Sequence, residues 1–94
     1  MYLSKDQVEE LRKLDEGEHA PWYPGSVVVK QEPSYYEESK YVSFHSMILR
    51  DYDDNLYRVY YHVTKEDDPE LIEKSIVVKR VRVRTVTRNE YEDI

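Results

Sequence analysis

The chain has 94 residues, of which 39% are hydrophobic and 36% are charged, and it contains no cysteine. This length suits one domain with a modest core, and the lack of cysteine excludes a disulfide framework and a thiolate metal site. No run of residues approaches the ~18 apolar residues of a membrane span, and the N-terminus lacks the apolar segment of a secretion signal. We therefore expect a single cytoplasmic domain over 1–94 with no membrane partner.

Charge is distributed unevenly along the sequence. The formal net charge is −6, yet residues 74–88 carry six bases and no acid. The rest of the chain therefore has eight bases against twenty acids, a balance of −12. This uneven distribution of charge is informative about binding partners and not about the fold.

The first 17 residues predict a helix. Ser4 is a suitable N-cap, Gln7 stands three residues later as in a capping box, and Gly17 is a natural stop. The prolines of 20–25 predict an irregular aromatic connector, and 26–31 then predict a strand that opens the sheet region 26–88.

The clearest signal is a hairpin. Residues 41–50 and 56–64 are rich in β-branched and aromatic types, and the 51–55 segment between them has turn composition. A turn centred between Asp53 and Asp54 pairs His45 with His62. It also gives one apolar face, made of Val42, Phe44, Ile48, Tyr57, Val59, Tyr61 and Val63.

Two more elements complete the prediction. Residues 67–74 have acids and a proline first and a base last, which is typical of a short helix. Residues 75–88 alternate valine and arginine, which predicts a long strand, and 89–94 form an acidic tail whose order the sequence leaves open. The fold expected is α+β, with about four antiparallel strands in the order α-β-β-β-α-β.

The sequence contains no complete catalytic or metal-binding motif. The predicted His45 and His62 pair lacks a third ligand, so half-buried sheet histidines are the simpler interpretation. Asp51, Asp53 and Asn55 imitate the start of a calcium loop, but Leu56 and His62 occupy the positions that need Gly and Glu. With two glycines in all and no nucleophile motif, we expect no metal, no cofactor and no enzymatic activity.

Arg80, Arg82 and Arg84 recur at every second residue of the last predicted strand. They form a ladder with steps of about 7 Å, which is close to phosphate spacing in nucleic acid. The ladder is an alternative nucleic-acid-binding or nucleotide-binding site, with Tyr60 or Trp22 available for stacking. Pairing with carboxylates of a neighbouring strand or of a partner explains it better in an acidic chain. Pairing of this long strand with its twin in a homodimer stays open.

Ten tyrosines are a large excess for this length, and three clusters mix them with acids. Tyrosine offers rigid contact area, and spaced carboxylates can imitate phosphates, so such clusters favour a protein-binding surface. The clusters are Tyr35-Tyr36-Glu37-Glu38, Asp51-Tyr52-Asp53-Asp54 and Glu90-Tyr91-Glu92-Asp93.

In charge, size, tyrosine content and lack of cysteine, the chain resembles the small acidic inhibitors carried by phages and mobile elements, some of which mimic nucleic acid. The resemblance is one of type and implies a host nucleic-acid-processing or defence enzyme as the partner. We therefore predict a non-enzymatic protein that occupies a macromolecular partner. The predicted contact residues are Tyr35, Tyr36, Glu37, Glu38, Asp51, Tyr52, Asp53 and Asp54.

Overall fold

The computed structural model describes residues 2–32, 40–85 and 89–94. Its elements are α1 (Lys5–Leu11), β1 (His19–Ala20), β2 (Tyr23–Glu32), β3 (Val42–Arg50), β4 (Leu56–Thr64), β5 (Leu71–Thr85) and β6 (Asn89–Asp93). The strands form one antiparallel sheet in which each pairs with the next along the chain. The α+β class is confirmed, but the described residues form six strands rather than about four, and one helix rather than two.

The helix begins as the sequence predicts and ends earlier. The Ser4 hydroxyl accepts the Gln7 amide N–H at 3.2 Å, and the Gln7 side chain accepts the Ser4 amide N–H at 2.9 Å. At the other end the Gln31 side-chain amide donates to the carbonyls of Leu11 and Leu14, at 2.9 and 3.2 Å. This side chain of β2 therefore satisfies the carbonyl of the last helical residue and one just beyond the helix.

The predicted helix at 67–74 is wrong, because its second half is the start of β5. Leu71 pairs with Val63 of β4 and is only 1% exposed. Burying a leucine contributes about 1.5–3 kcal/mol, whereas a favourable charge at a helix end contributes about 0.3–1 kcal/mol. Tertiary burial therefore outweighs the local helix signal.

The connector predicted at 20–25 also becomes part of the sheet. Ala20 pairs with Tyr23, and β2 begins at Tyr23 rather than at Ser26. The shift in register between His19 and Ala20 lets this short edge strand turn sharply.

The hairpin exists, but its predicted register is wrong by one residue. Arg50 pairs with Leu56, so the loop has five residues and is centred on Asp53. His45 therefore faces Tyr61, and His62 faces Phe44. Because a shift of one residue reverses every side chain, the predicted apolar face is divided between the two sides of the sheet.

Strand β5 alternates as predicted, and the acidic tail, whose order the sequence leaves open, forms a strand over Asn89–Asp93. Val81 and Val83 pair with Asp93 and Tyr91, whereas Arg82 pairs with Glu92. Residues 89–93 form β6, which pairs with the end of β5 and places Glu92 opposite Arg82 and Glu90 opposite Arg84.

The sheet has two different sides. One side, the helix face, packs against α1, and the core lies between the two. The core residues are Leu3, Val8, Leu11, Ala20, Val28, Met47, Leu49, Val59, Tyr61, Val63 and Leu71. The other side of the sheet, which we call the open face, carries the side chains that alternate along each strand with those of the helix face. Ile48 and Ser46 are buried on the open face although α1 lies on the other side. Their cover comes from long polar side chains, including those of Arg58 and Glu32.

Candidate partner-binding surface

The hairpin loop at 51–55 is fixed by one carboxylate. The Asp51 side chain accepts the backbone N–H groups of Asp53 and Asn55, both at 2.9 Å. Desolvation by itself raises the pKa of Asp51, but these hydrogen bonds outweigh it and hold the pKa below its usual range. Asp51 was predicted to contact a partner, and the structure uses its carboxylate to shape the loop.

Tyr52 is exposed, but its ring rests against another part of the chain. Its side chain is 73% exposed, and one side of its ring lies on Gly25 so closely that a Cβ there would overlap the ring. Only glycine allows this approach. The ring therefore stands as a supported aromatic surface at the end of the sheet.

Two acids adjoin this ring. Asp53 and Asp54 are both exposed, and Asp54 takes a positive φ of 62°. Arg50 lies 3.8 Å from Asp54, but their side chains are 48% and 88% exposed, so water screens this pair. We call Tyr52, Asp53 and Asp54 the tip surface.

Trp22 extends the same end of the sheet. It is 37% exposed and lies three residues before Gly25, in the turn between β1 and β2. Sequence reasoning considered Trp22 only for stacking on a base. The missed signal is Gly25 itself, since one of only two glycines marks a close approach.

Of the other two tyrosine clusters, only the one at 90–93 lies within the described residues, and it does not join the tip surface. Tyr35, Tyr36, Glu37 and Glu38 lie outside the described residues. The third cluster lies in β6, where Glu92 pairs with Arg82 at 2.6 Å and Asp93 accepts from Arg58 at 3.0 Å. Glu92 and Asp93 are thus paired within the sheet.

Two members of the arginine ladder, Arg80 and Arg82, lie on the helix face of β5. The Arg80 guanidinium stands 5.8 Å from the Tyr57 ring centroid and donates to the Asn55 side chain. Arg82 pairs with Glu92, and the backbone register places Arg84 opposite Glu90. The sequence favoured pairing of these arginines with carboxylates of a neighbouring strand or of a partner, and the structure shows such a pair within the chain for Arg82.

The two histidines lie on opposite faces, so the predicted opposition of His45 and His62 is wrong. His45 stacks on Tyr61 with ring centroids 5.3 Å apart, and His62 meets the Phe44 ring edge-on at 4.3 Å. Burial lowers the pKa of His45, and the positive Arg12 lowers it further. Across the described residues, no three His, Asp or Glu side chains are grouped as a metal site.

A serine accompanies His45. The Ser43 hydroxyl lies 2.8 Å from His45 Nε2 and 3.3 Å from the Val63 carbonyl. A hydroxyl that donates to the carbonyl and accepts from the ring satisfies all three groups. The pair therefore fits a structural role on the half-buried edge of the core.

Sequence reasoning missed a polar network on the open face that is centred on Arg58. Arg58 donates to Glu32 at 2.9 Å, to Asp93 at 3.0 Å and to the Tyr91 carbonyl at 2.9 Å. The side chains of Arg58 and Glu32 are 12% and 5% exposed. These contacts raise the pKa of Arg58 although desolvation acts to lower it, so the guanidinium stays charged. The network ties β2, β4 and β6 together on the open face.

Comparison with known proteins assigns no family: no family model, curated protein or solved structure matches the chain. In the three described ranges, no helix has both the length and the apolar character needed to cross a bilayer.

Proposed function

We propose that this chain is a non-enzymatic binding protein that acts by occupying a macromolecular partner through the tip surface. The observation that carries the proposal is the exposed Tyr52 ring lying against Gly25. An aromatic ring that is both exposed and supported loses little conformational entropy on binding. The cytoplasm is the compartment in which we expect it to act.

Support for a preorganised surface comes from the loop itself. Asp51 fixes the loop from inside, so Tyr52, Asp53 and Asp54 do not need to be ordered by the partner. A preformed loop keeps more of its contact energy as affinity. This favours a rigid docking element over a flexible acidic turn.

Charge indicates the chemistry of the partner. The tip surface is acidic, and exposed carboxylates beside an aromatic ring suit a partner groove lined by Lys and Arg. A groove that normally takes nucleic acid has this chemistry. The proposed partner is therefore a nucleic-acid-processing or defence enzyme, and the proposed mechanism is steric and electrostatic block, as in a phage-type inhibitor.

The acidic test uses two matched charge reversals. Tagged wild type, D53K/D54K and D67K/D68K are each incubated with nuclease-treated bacterial lysate at low and moderate salt. Asp67 and Asp68 are exposed acids in the turn before β5, so both variants change the net charge equally. We expect one protein whose recovery falls at least tenfold with D53K/D54K and stays unchanged with D67K/D68K. Equal capture by both variants would contradict the proposal.

The aromatic test separates the ring from its support. Y52A removes the ring, whereas Y41A removes an equally exposed tyrosine, 78% against 73%, at the other end of the sheet. G25A keeps the ring and displaces it, because a Cβ at Gly25 would overlap the ring. Capture should fall with Y52A and G25A and persist with Y41A.

The alternative function, nucleic-acid or nucleotide binding through Arg80, Arg82 and Arg84, ranks second for the chain as folded. Glu92 already pairs with Arg82, and the register sets Glu90 against Arg84. Self-association of β5 gains no specific support, because β6 pairs with its last five residues.

A further inference from the structure

The bases of β5 and the acids of β6 meet on one face of the sheet. Arg82 and Glu92 are directly paired, and so are Arg84 and Glu90 in the backbone register. The Arg82 and Glu92 side chains are 68% and 35% exposed, so water reaches their ion pair. An exposed ion pair adds little stability and is open to exchange with other charges.

Strand β6 is attached to the sheet independently of this ion pair. On the open face, Arg58 donates to the Tyr91 carbonyl at 2.9 Å and to Asp93 at 3.0 Å. The Tyr60 hydroxyl adds a bond to Asp93 at 3.1 Å, and the Ile94 amide donates to the Arg80 carbonyl at 3.0 Å. The acids on the helix face are thus not what anchors β6, and what they do is neutralise the ladder.

The ladder also has an aromatic neighbour. Tyr57 pairs with Arg80 across β4 and β5, and its ring lies 5.8 Å from the guanidinium. Arginines at every second residue are separated by about 7 Å, a spacing that suits successive phosphates of an extended single strand. Basic grooves lined with aromatic rings are the usual way of holding single strands.

We propose that Arg80, Arg82 and Arg84, with Tyr57, form a binding site for single-stranded nucleic acid that Glu90 and Glu92 of the chain's own β6 keep occupied. The Glu92 carboxylate stands where a phosphate would lie, the backbone register sets Glu90 opposite Arg84, and an incoming strand exchanges with both acids. The site shares no residue with the tip surface, although Arg80 contacts Asn55 of the same loop, and it does not depend on the function proposed for that surface.

The test measures binding of a fluorescently labelled single-stranded oligonucleotide by anisotropy at low salt. Wild type is compared with E90Q/E92Q, which removes both negative charges and keeps side chains of the same size. The control D67N/D68N makes the same change of net charge in the turn before β5, away from the ladder. A third variant, E90Q/E92Q with R82A, removes the central arginine of the ladder.

We expect E90Q/E92Q to bind at least tenfold more tightly than both wild type and D67N/D68N. With three phosphates engaged, log K should fall against log salt with a slope of about −2. Adding R82A should return the affinity to within twofold of wild type. Thermal unfolding of each variant checks that the sheet is intact.

Two results would overturn the proposal. In one, E90Q/E92Q binds no more tightly than D67N/D68N, which would mean that only net charge matters. In the other, R82A leaves the gain unchanged, which would place the bound strand elsewhere on the protein.

Discussion

Arg58 and Arg82 both pair with a carboxylate of β6, but on opposite faces of the sheet and in different surroundings. Arg58 is 12% exposed and also binds a glutamate that is 5% exposed, whereas Arg82 is 68% exposed and its glutamate is 35% exposed. The two ion pairs therefore have similar N–O distances but differ in how much water reaches them. Where water is excluded, loss of one partner leaves a charge without compensation, whereas at the surface water replaces it.

The largest expected effect is that of removing Arg58. R58A should lower the free energy of unfolding by about 3–5 kcal/mol, because Glu32 and Asp93 lose their cation while Glu32 stays buried. Urea unfolding followed by circular dichroism measures the change. A loss below about 1 kcal/mol would mean that the open-face network is no stronger than a surface pair.

His45 lies between these extremes, half-buried beside Arg12 and with a lowered pKa. The unfolded chain then takes up a proton near pH 6.5 that the folded protein resists, so folding stability should fall as the pH drops below 6.5. Urea unfolding from pH 8 to pH 5 should show a smaller decline in H45Q than in wild type. Parallel curves would show that His45 does not titrate differently on folding.

Asp51 is a third kind of charged group, a partly exposed carboxylate that accepts backbone hydrogen bonds instead of lying against an arginine. Because its pKa is lowered on folding, its contribution is present above pH 3.8 and is lost as the pH falls through the folded value. D51A should speed hydrogen exchange at the Asp53 and Asn55 amides and leave the Val59 amide protected. Unchanged exchange at the loop would show that the turn forms without the carboxylate.

The smallest effect is expected at Arg82. R82A should cost less than about 1 kcal/mol, and the cost should shrink further in high salt. Urea unfolding at two ionic strengths, beside R58A as the reference, measures it. A loss as large as that of R58A would remove the distinction between the two pairs.

Part of the candidate site could be predicted from the sequence, and part of it could not. The residues of the tip, Tyr52, Asp53 and Asp54, were identified from composition, because turn chemistry between two strong strands places them at an exposed end. The support under Tyr52 could not be identified, since Gly25 is 27 residues away in sequence. The roles of Asp51 and of the β6 acids likewise depend on partners distant in the chain.

By itself the sequence determined the capped start of α1, the β3–β4 hairpin and the alternation of valine and arginine in β5, because each follows from local periodicity and side-chain chemistry. Only the tertiary structure decided the register of that hairpin, the strand that begins at Leu71 and the pairing of β6. A one-residue change of register costs nothing locally, yet it moves every side chain to the other face. The choice is therefore made by burial of Met47, Leu49 and Val59 against the helix, which no local pattern contains.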